Sequence, residues 1–344
     1  MPSDKKFTRK VPVILEHLCE RSFNNVGRSA IEMLKKTHPI SSTPAQKSRG
    51  RKMYELIQIS DNDYYIQSPA KIGLVKLNET DVCLIDSGND KDAGRKVWQI
   101  LDVNNWNLIA IYNTHSNADH IGGNRHLQGK TGCKIYAPGI DCDFTRHPIL
   151  EPAFLYGGYP CKDLRHKFLL AQESDAEYLT KDVLPSGFEI ISLPGHFFDM
   201  VGFRTPDDTV YLADCLSSKE TLDKYQIGFI YDVASYLETL EMVKSLKAEI
   251  FVPAHAAATK DISELAQYNI SKVQEIAEKI IAICTEPLCF ELILQRLFTE
   301  YNLTMNFEQY VLVGSTIRSY LAWLKDTSKL NVEFENNMLL WKQI

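Results

Sequence analysis

The sequence has no apolar run approaching the roughly 20 consecutive residues that a membrane-spanning helix needs. It also has no basic excess: 38 Lys and Arg stand against 44 Asp and Glu, a formal charge of −6. A general attraction to nucleic acid or to an anionic membrane is therefore not expected. Cysteines are present but unpaired in spacing. Cys19, Cys83, Cys133, Cys142, Cys161, Cys215, Cys284 and Cys289 are scattered without a close Cys-x-x-Cys pair, as reduced thiols are and a disulfide framework is not. No internal repeat or low-complexity tract interrupts the chain. The opening stretch MPSDKKFTRK is charged and leads into no long apolar core, which argues against a secretory leader. These absences together favour a soluble protein of the cytoplasm.

What remains is an ordinary globular composition, 44% hydrophobic and 24% charged over 344 residues, enough for one large domain and a smaller one. Residues 1–52 read as an extension. Val11 to Lys36 can form one amphipathic helix or two short ones, and the Pro39–Pro44 and Lys47–Lys52 stretches are turn-rich or basic, as in a linker. From Met53 onward, strand-like runs appear at Leu56–Ile59, Tyr64–Ile66, Ile72–Leu77 and Val82–Ile85.

Five apolar, β-rich runs then share one grammar, each stopping at an Asp or His. Val82–Ile85 leads to Asp86, Leu108–Tyr112 to His115, Glu189–Leu193 to His196, Thr209–Leu212 to Asp214, and Glu249–Val252 to His255. Buried strands of α/β proteins deliver their polar ends to one sheet edge, where such proteins place their sites. The richest ending is Thr114–Asn124. His115, Asn117, Asp119 and His120 fall within six positions, followed by Gly122 and Gly123, which permit close packing. Imidazole nitrogens and carboxylate oxygens at one edge are a ligand set for zinc or iron. Paired metals about 3.5–4 Å apart can share one carboxylate. Each residue also has a plainer reading: Asp86 can start a turn, Asp214 can cap a helix, and His196 and His255 can be core histidines. His126, His147 and His166 have no strand-end context and are read as surface or loop residues.

The ordered set resembles the metallo-β-lactamase superfamily. Thr114–Asn124 is similar to its His-x-His-x-Asp-His motif, with Asn117 where the second His stands. Ile85–Gly88, Leu193–His196, Tyr211–Asp214 and Val252–His255 resemble its other motifs in order and separation. The resemblance covers roughly residues 55–260 and implies an α/β fold, the αββα sandwich, over a catalytic domain of residues 53–262. Carried over by position, it implies one metal site of His115, Asn117, His196 and Asp214. It implies a second of Asp119, His120, His255 and the shared Asp214, with Asp86 behind them orienting the cluster. An amide oxygen is a weaker donor than an imidazole, so two zinc ions of unequal affinity are expected. A single ion in the second site, iron on His115, His196 and Asp214, or manganese, are the alternatives. Asp119, His120 and Asp214 are the candidate catalytic residues, around a metal that lowers the pKa of water from about 15.7 to about 7. No nucleophile elbow is present.

Arg146–Pro160, aromatic and rich in Pro and Gly, is expected as a loop that covers the metals and lines an apolar pocket; a subunit interface, as in a homodimer, is its alternative use. From Ser263 the pattern turns helical, over Ile270–Cys284, Cys289–Tyr301 and Phe307–Leu324. The end alternates around Asn336-Asn337 as a β-hairpin does. Three helices and a hairpin over 263–344 look like a winged-helix module, an appendage that some superfamily members carry. Residues 290–344 hold five Lys and Arg against six Asp and Glu, too few for a phosphate-binding surface. By resemblance to the glyoxalase II-like and related acyl hydrolases of that superfamily, the expected function is hydrolysis of a small-molecule ester, thioester or lactone. The alternatives are RNA cleavage, iron-dependent oxygen chemistry, or a degenerate member that only binds.

Overall fold

A computed structural model describes residues 53–344; the extension expected over 1–52 lies outside them. The apolar runs become two sheets. In the first, β1 (Leu56–Gln58), β2 (Asp63–Ile66), β3 (Ile72–Lys76) and β4 (Asp81–Ile85) form an antiparallel meander. Helix α1 (Lys91–Val103), capped by the Asp90 carboxylate accepting from the Asp92 and Ala93 amides, then brings β5 (Asn107–Tyr112) parallel to β4. After α2 (Ala118–Ile121) and α3 (Asn124–Thr131), β6 (Lys134–Ala137) adds to the same edge; α4 (Gly139–Arg146) and α5 (Leu150–Tyr156) precede β7 (Ala176–Tyr178). The second sheet runs β11-β10-β9-β8. It is built from β8 (Glu189–Ser192), β9 (Val201–Arg204), β10 (Thr209–Ser217) and, after α6 (Lys219–Tyr225) and α7 (Val233–Ser245), β11 (Ile250–His255).

Side-chain alternation makes the layers. Cys83 and Ile85 of β4, with Ala110 and Tyr112 of β5, meet Val201, Phe203, Tyr211 and Val252 between the two sheets. Val82, Leu84 and Ile111 point the other way, onto Val97 and Leu101 of α1 and Leu127 of α3. The register shifts once between β4 and β5, where Val82 pairs with Leu108 but Cys83 with Ala110. That bulge releases Ile109 to solvent, 46% exposed, and lets Leu108 face the helices although Ala110 faces the other sheet. Val210 and Leu212 of β10 pack outward on Val233, Leu240 and Val243 of α7. The result is the αββα sandwich.

Across the boundary expected at residue 262 the apolar core is continuous. Helices α8 (Ser263–Ile283), α9 (Phe290–Glu300) and α10 (Phe307–Asp326) bury Ile270, Val273, Leu294, Leu297 and Ile317 in the same cluster as Val210 and Leu212. Burying each such aliphatic side chain contributes about 1.5–3 kcal/mol. Strands β12 (Leu330–Glu335) and β13 (Met338–Gln343) close the chain as a hairpin. Its turn residues Asn336 and Asn337 have φ of 49° and 63°, the left-handed pair of a type I′ turn that asparagine tolerates.

Two local expectations are corrected. Arg146–Pro160 is not a loop throughout, because α5 occupies Leu150–Tyr156. Pro152 sits in the first turn, where its missing N–H costs no helical bond, and Gly157 closes the helix with φ of 78°. Composition signalled turns, but proline and glycine here mark the two ends of a helix. Likewise β10 continues to Ser217, so Asp214 lies within a strand and not at its end.

Candidate metal centre

Each functional side chain is aimed by a backbone feature at the end of the sandwich where the strands deliver their polar residues. Asp86 follows β4 with φ of 63°, a left-handed conformation open to aspartate. His115 follows β5, and the single turn α2 carries Asp119 and His120, its first amide bond running from the His120 N–H to the Asn117 carbonyl at 2.9 Å. Gly123 lets this turn press on the preceding strand end, since a Cβ there would overlap the Ser87 carbonyl. His196 follows Gly195, whose φ of 116° and contact with the Tyr236 backbone exclude a side chain. Ala213, at φ of 50°, marks a bulge where the β10–β11 register shifts, and the strand turns Asp214 toward the cluster. His255 ends β11, and the buried Lys71 ammonium donates to the Pro253 and Ala254 carbonyls of that strand and to that of Ala256 just beyond it.

The ring nitrogens that face away are already engaged. The Thr114 hydroxyl donates to Asp86 Oδ2 at 2.7 Å, and the Thr114 amide donates to Oδ1 at 2.8 Å. Its hydroxyl oxygen is therefore an acceptor for His115 Nδ1 at 3.0 Å. Nδ1 of His120 donates to Asp86 Oδ2 at 2.8 Å, and Nδ1 of His255 to the Pro69 carbonyl at 3.1 Å. This network assigns the proton to Nδ1 in all three rings. It leaves the three Nε2 lone pairs free to face inward.

Those inward atoms converge. Donor atoms of Asp119, His120, Asp214 and His255 lie within 4.8 Å of one another, as do those of His115, His196 and Asp214. Asp214 belongs to both groups: its Oδ1 is 3.1 Å from His120 Nε2, and its Oδ2 is 3.1 Å from His255 Nε2 and 3.6 Å from His196 Nε2. Nε2 of His115, Nε2 of His120 and Oδ1 of Asp214 are nonetheless buried without an aligned hydrogen bond. Buried polar atoms are ordinarily satisfied. Orphaned lone pairs converging on two points are the geometry a divalent cation satisfies, and the nitrogen and oxygen donors suit zinc, with iron and manganese within the same chemistry.

The electrostatics agree with that fit. Burial, reinforced by His120, depresses His115 well below the usual imidazole range, and burial likewise lowers His196. For His120 and His255 burial acts in the same direction, but the carboxylates prevail, Asp214 foremost. They hold His120 well above its usual range and push His255 up to about 10. Burial would raise Asp119 and Asp214, yet His120 and His255 keep both below the usual carboxylate range. Two ionised carboxylates in one buried cluster demand positive charge, which protons supply when no cation does.

All seven residues expected as ligands are brought to this centre. Asn117 stands 3.2 Å from His196 Nε2 through its Oδ1. Asp86 stands behind the cluster, as its hydrogen bonds require. His126, His147 and His166 belong to neither group; His166 instead pairs with Glu308 at 2.8 Å. Sequence reasoning gave no part to Thr114, Asp141 or Glu151. Asp141 accepts from the Ser116 amide and hydroxyl at 2.8 and 2.7 Å and from the Asp199 amide at 2.9 Å, fixing the loop that carries the ligands. Glu151 accepts from the Asn117 amide at 2.8 Å. Thr114 lay inside the motif and was visible there. Asp141 and Glu151 carried no spacing signal, because each reaches the centre only when α4 and α5 fold back.

A cleft of about 560 Å³, with Gln67, Lys71, Ser218, Glu220, Thr221 and His255 on its walls, opens beside the centre. On the other side, Phe197, Phe229 and Phe154 pack around His115 and His196, with the Phe229 ring 5.5 Å from that of His196.

Fold and site together define an αββα protein with a shared-carboxylate cluster suited to two metal ions. Residues 67–255, more than half the chain, match the metallo-beta-lactamase superfamily, and the chain belongs to that family. A hydroxyacylglutathione hydrolase of Methylococcus capsulatus is 27% identical over 155 residues, covering 44% of this chain and 50% of that protein. One from Hyphomonas neptunium is 25% identical, over 32% of this chain and 35% of its own length. The chain thus spans about half the length, or less, of these curated relatives. A beta-lactamase domain protein from Burkholderia ambifaria superposes with a TM-score of 0.67 at 14% identity, covering 85% of this chain and 94% of its own. A metallo-beta-lactamase family protein from Thermus thermophilus gives 0.63 at 14% identity, over 84% and 97%. At such identity these neighbours establish the fold alone. Among the described residues no helix is long and apolar enough to cross a membrane.

Proposed function

We propose that this chain is a metal-dependent hydrolase of small acyl substrates, thioesters first among them. The observation that carries the reading is the pair of donor groups joined at Asp214, with Nε2 of His115, Nε2 of His120 and Oδ1 of Asp214 buried without hydrogen-bond partners. His115, His196 and Asp214 would hold one ion with Asn117 beside them, and Asp119, His120, His255 and Asp214 the other. A divalent cation bound there supplies an activated water at neutral pH and polarises the acyl oxygen. The remaining work belongs to the chain. Asp119, 38% exposed at its side chain, faces the solvent side and can orient a water or take its proton. The cleft beside His255 admits a small substrate without demanding an acidic or basic one, since Lys71 is spent on carbonyls and Glu220 and Gln67 line a mixed surface. The similarity to hydroxyacylglutathione hydrolases favours thioesters over simple esters.

The test is chelation and reloading. Purified protein should lose acyl-thioester hydrolysis on removal of metal and regain it with zinc. His255→Ala should lower kcat/KM by at least about 100-fold, the scale of removing a group that acts at the reacting centre. His115, His196 and Asp214 also form the two-imidazole, one-carboxylate set of iron oxygenases. Oxygen consumption with iron, in protein inert toward every acyl substrate offered, would replace hydrolysis with that chemistry.

A further inference from the structure

Asn117 poses a problem that the ligand geometry does not settle by itself. A side-chain amide has two ends of nearly equal size, and only the oxygen can bind a cation. Nothing in the backbone of α2 selects which end faces the cluster.

Glu151 makes the selection. Its Oε1 accepts from Asn117 Nδ2 at 2.8 Å, and the amide oxygen then lies 3.2 Å from His196 Nε2, on the ligand side. Glu151 is 3% exposed, and its second oxygen, Oε2, is buried without a hydrogen-bond partner. Its neighbours on α5 that turn inward, Pro152 and Leu155, are apolar, so the helix has no need of a carboxyl at that position to pack. A buried carboxyl with an unsatisfied oxygen is costly, and among the described residues the hydrogen bonds it accepts come from the Asn117 side chain and the Ala118 backbone amide, both at the start of α2. By accepting from the amide nitrogen, the Glu151 oxygen also polarises the amide and makes its oxygen a stronger donor, as outer hydrogen bonds do for histidine ligands.

We propose that Glu151 is the positioning residue of the first metal group: it orients and polarises Asn117 so that an asparagine serves where an imidazole would otherwise stand. This rests on the metal-dependent reading above and adds a residue to it.

Zinc binding to the full chain, measured against a chromophoric chelator and by the visible spectrum of the cobalt-substituted protein, tests the pair without reference to activity. Metal-free wild type should take up two equivalents, one weaker. Glu151→Ala should weaken only the weaker equivalent, by about 10–100-fold, the usual effect of losing such a partner, and alter its cobalt spectrum. Glu151→Gln, which still offers an oxygen to the amide, should recover most of the affinity. In an Asn117→His background Glu151→Ala should have little effect, because an imidazole needs no such orientation. Metal-free thermal unfolding identifies a variant that fails to fold, and Glu151→Asp, with a shorter reach, then takes the place of Glu151→Ala. Unchanged binding and spectrum in the Glu151 variants overturn the proposal alone, as does an equal loss in the Asn117→His background. A wild type that binds no zinc, cobalt, iron or manganese overturns the metal-dependent reading and the proposal with it.

Discussion

Asp141 shows how much of the centre is built by residues that never face it. Its carboxyl collects three donors from Ser116 and Asp199 and is wholly buried. Burial pushes it up to about 6, against the lowering effect of those hydrogen bonds and with the help of the Asp199 charge. An acid raised in the folded state keeps its proton, between about pH 4 and 6, when the unfolded chain has released it. Stability from this group is thus present at the acid end of that window and lost as pH rises through it. A shift of about two units corresponds to about 3 kcal/mol. Unfolding by denaturant across pH 4–7 should therefore show Asp141→Asn gaining on wild type by up to that amount as pH rises. A difference that stays constant with pH removes Asp141 as the cause. At this scale the histidines and Asp214 were legible, because each follows an apolar run, although Asp214 proved to lie at a bulge within β10 and not at a strand end. Asp141 and Glu151 were not, since a lone carboxyl in a polar or aromatic segment looks alike whether it ends in solvent or in the core.

Elements place the ligands more by their breaks than by their regular parts. The strands were readable from apolar runs, and the C-terminal helices from their period, α8 starting at Ser263 where the pattern turns helical. What periodicity could not show is where a strand bends. Asp214 reaches the cluster because β10 bulges at Ala213, and α5 hid behind proline and glycine that proved to be its boundaries. Gly195 is the sharpest such break, with φ of 116° and the Tyr236 backbone occupying the place of a Cβ. Gly195 also accepts the Tyr231 and Asp232 amides at its carbonyl, both at 2.9 Å, tying the start of α7 to the His196 turn. Gly195→Ala should cost the protein at least about 2 kcal/mol, combining the left-handed penalty with the overlap. It should also weaken metal binding through a displaced His196. Denaturant unfolding and zinc titration read the two effects, and a variant matching wild type in both would mean that the turn relaxes freely.

At the scale of the whole molecule, the cluster sits where the two halves of the sandwich meet. His115, Asp119 and His120 come from the end of the first sheet; His196, Asp214 and His255 come from the second. Between the sheets the contact is otherwise apolar, made by side chains such as Tyr65, Phe203 and Tyr211, which resist separation but fix no unique register at the polar end. A cation held by donors from both sheets would act there as a staple. Binding only to the folded arrangement, it would stabilise that arrangement by about 4 kcal/mol at a free concentration a thousandfold above Kd. Removing it would expose the sheets to the opposite tendency, since Asp119 and Asp214, one from each half, would lose a shared counterion. Chelation should therefore lower the calorimetric unfolding temperature, by roughly 2–4 °C per kcal/mol for a chain of this size or less, and amide exchange should quicken first at the ends of β5, β10 and β11. The C-terminal helices share their core with the outer face of the second sheet and should follow the global transition without responding to chelation on their own. An unfolding temperature indifferent to chelator, in protein shown to carry metal beforehand, would mean that the apolar layer alone holds the sheets in register and that the ion is a guest of a finished fold.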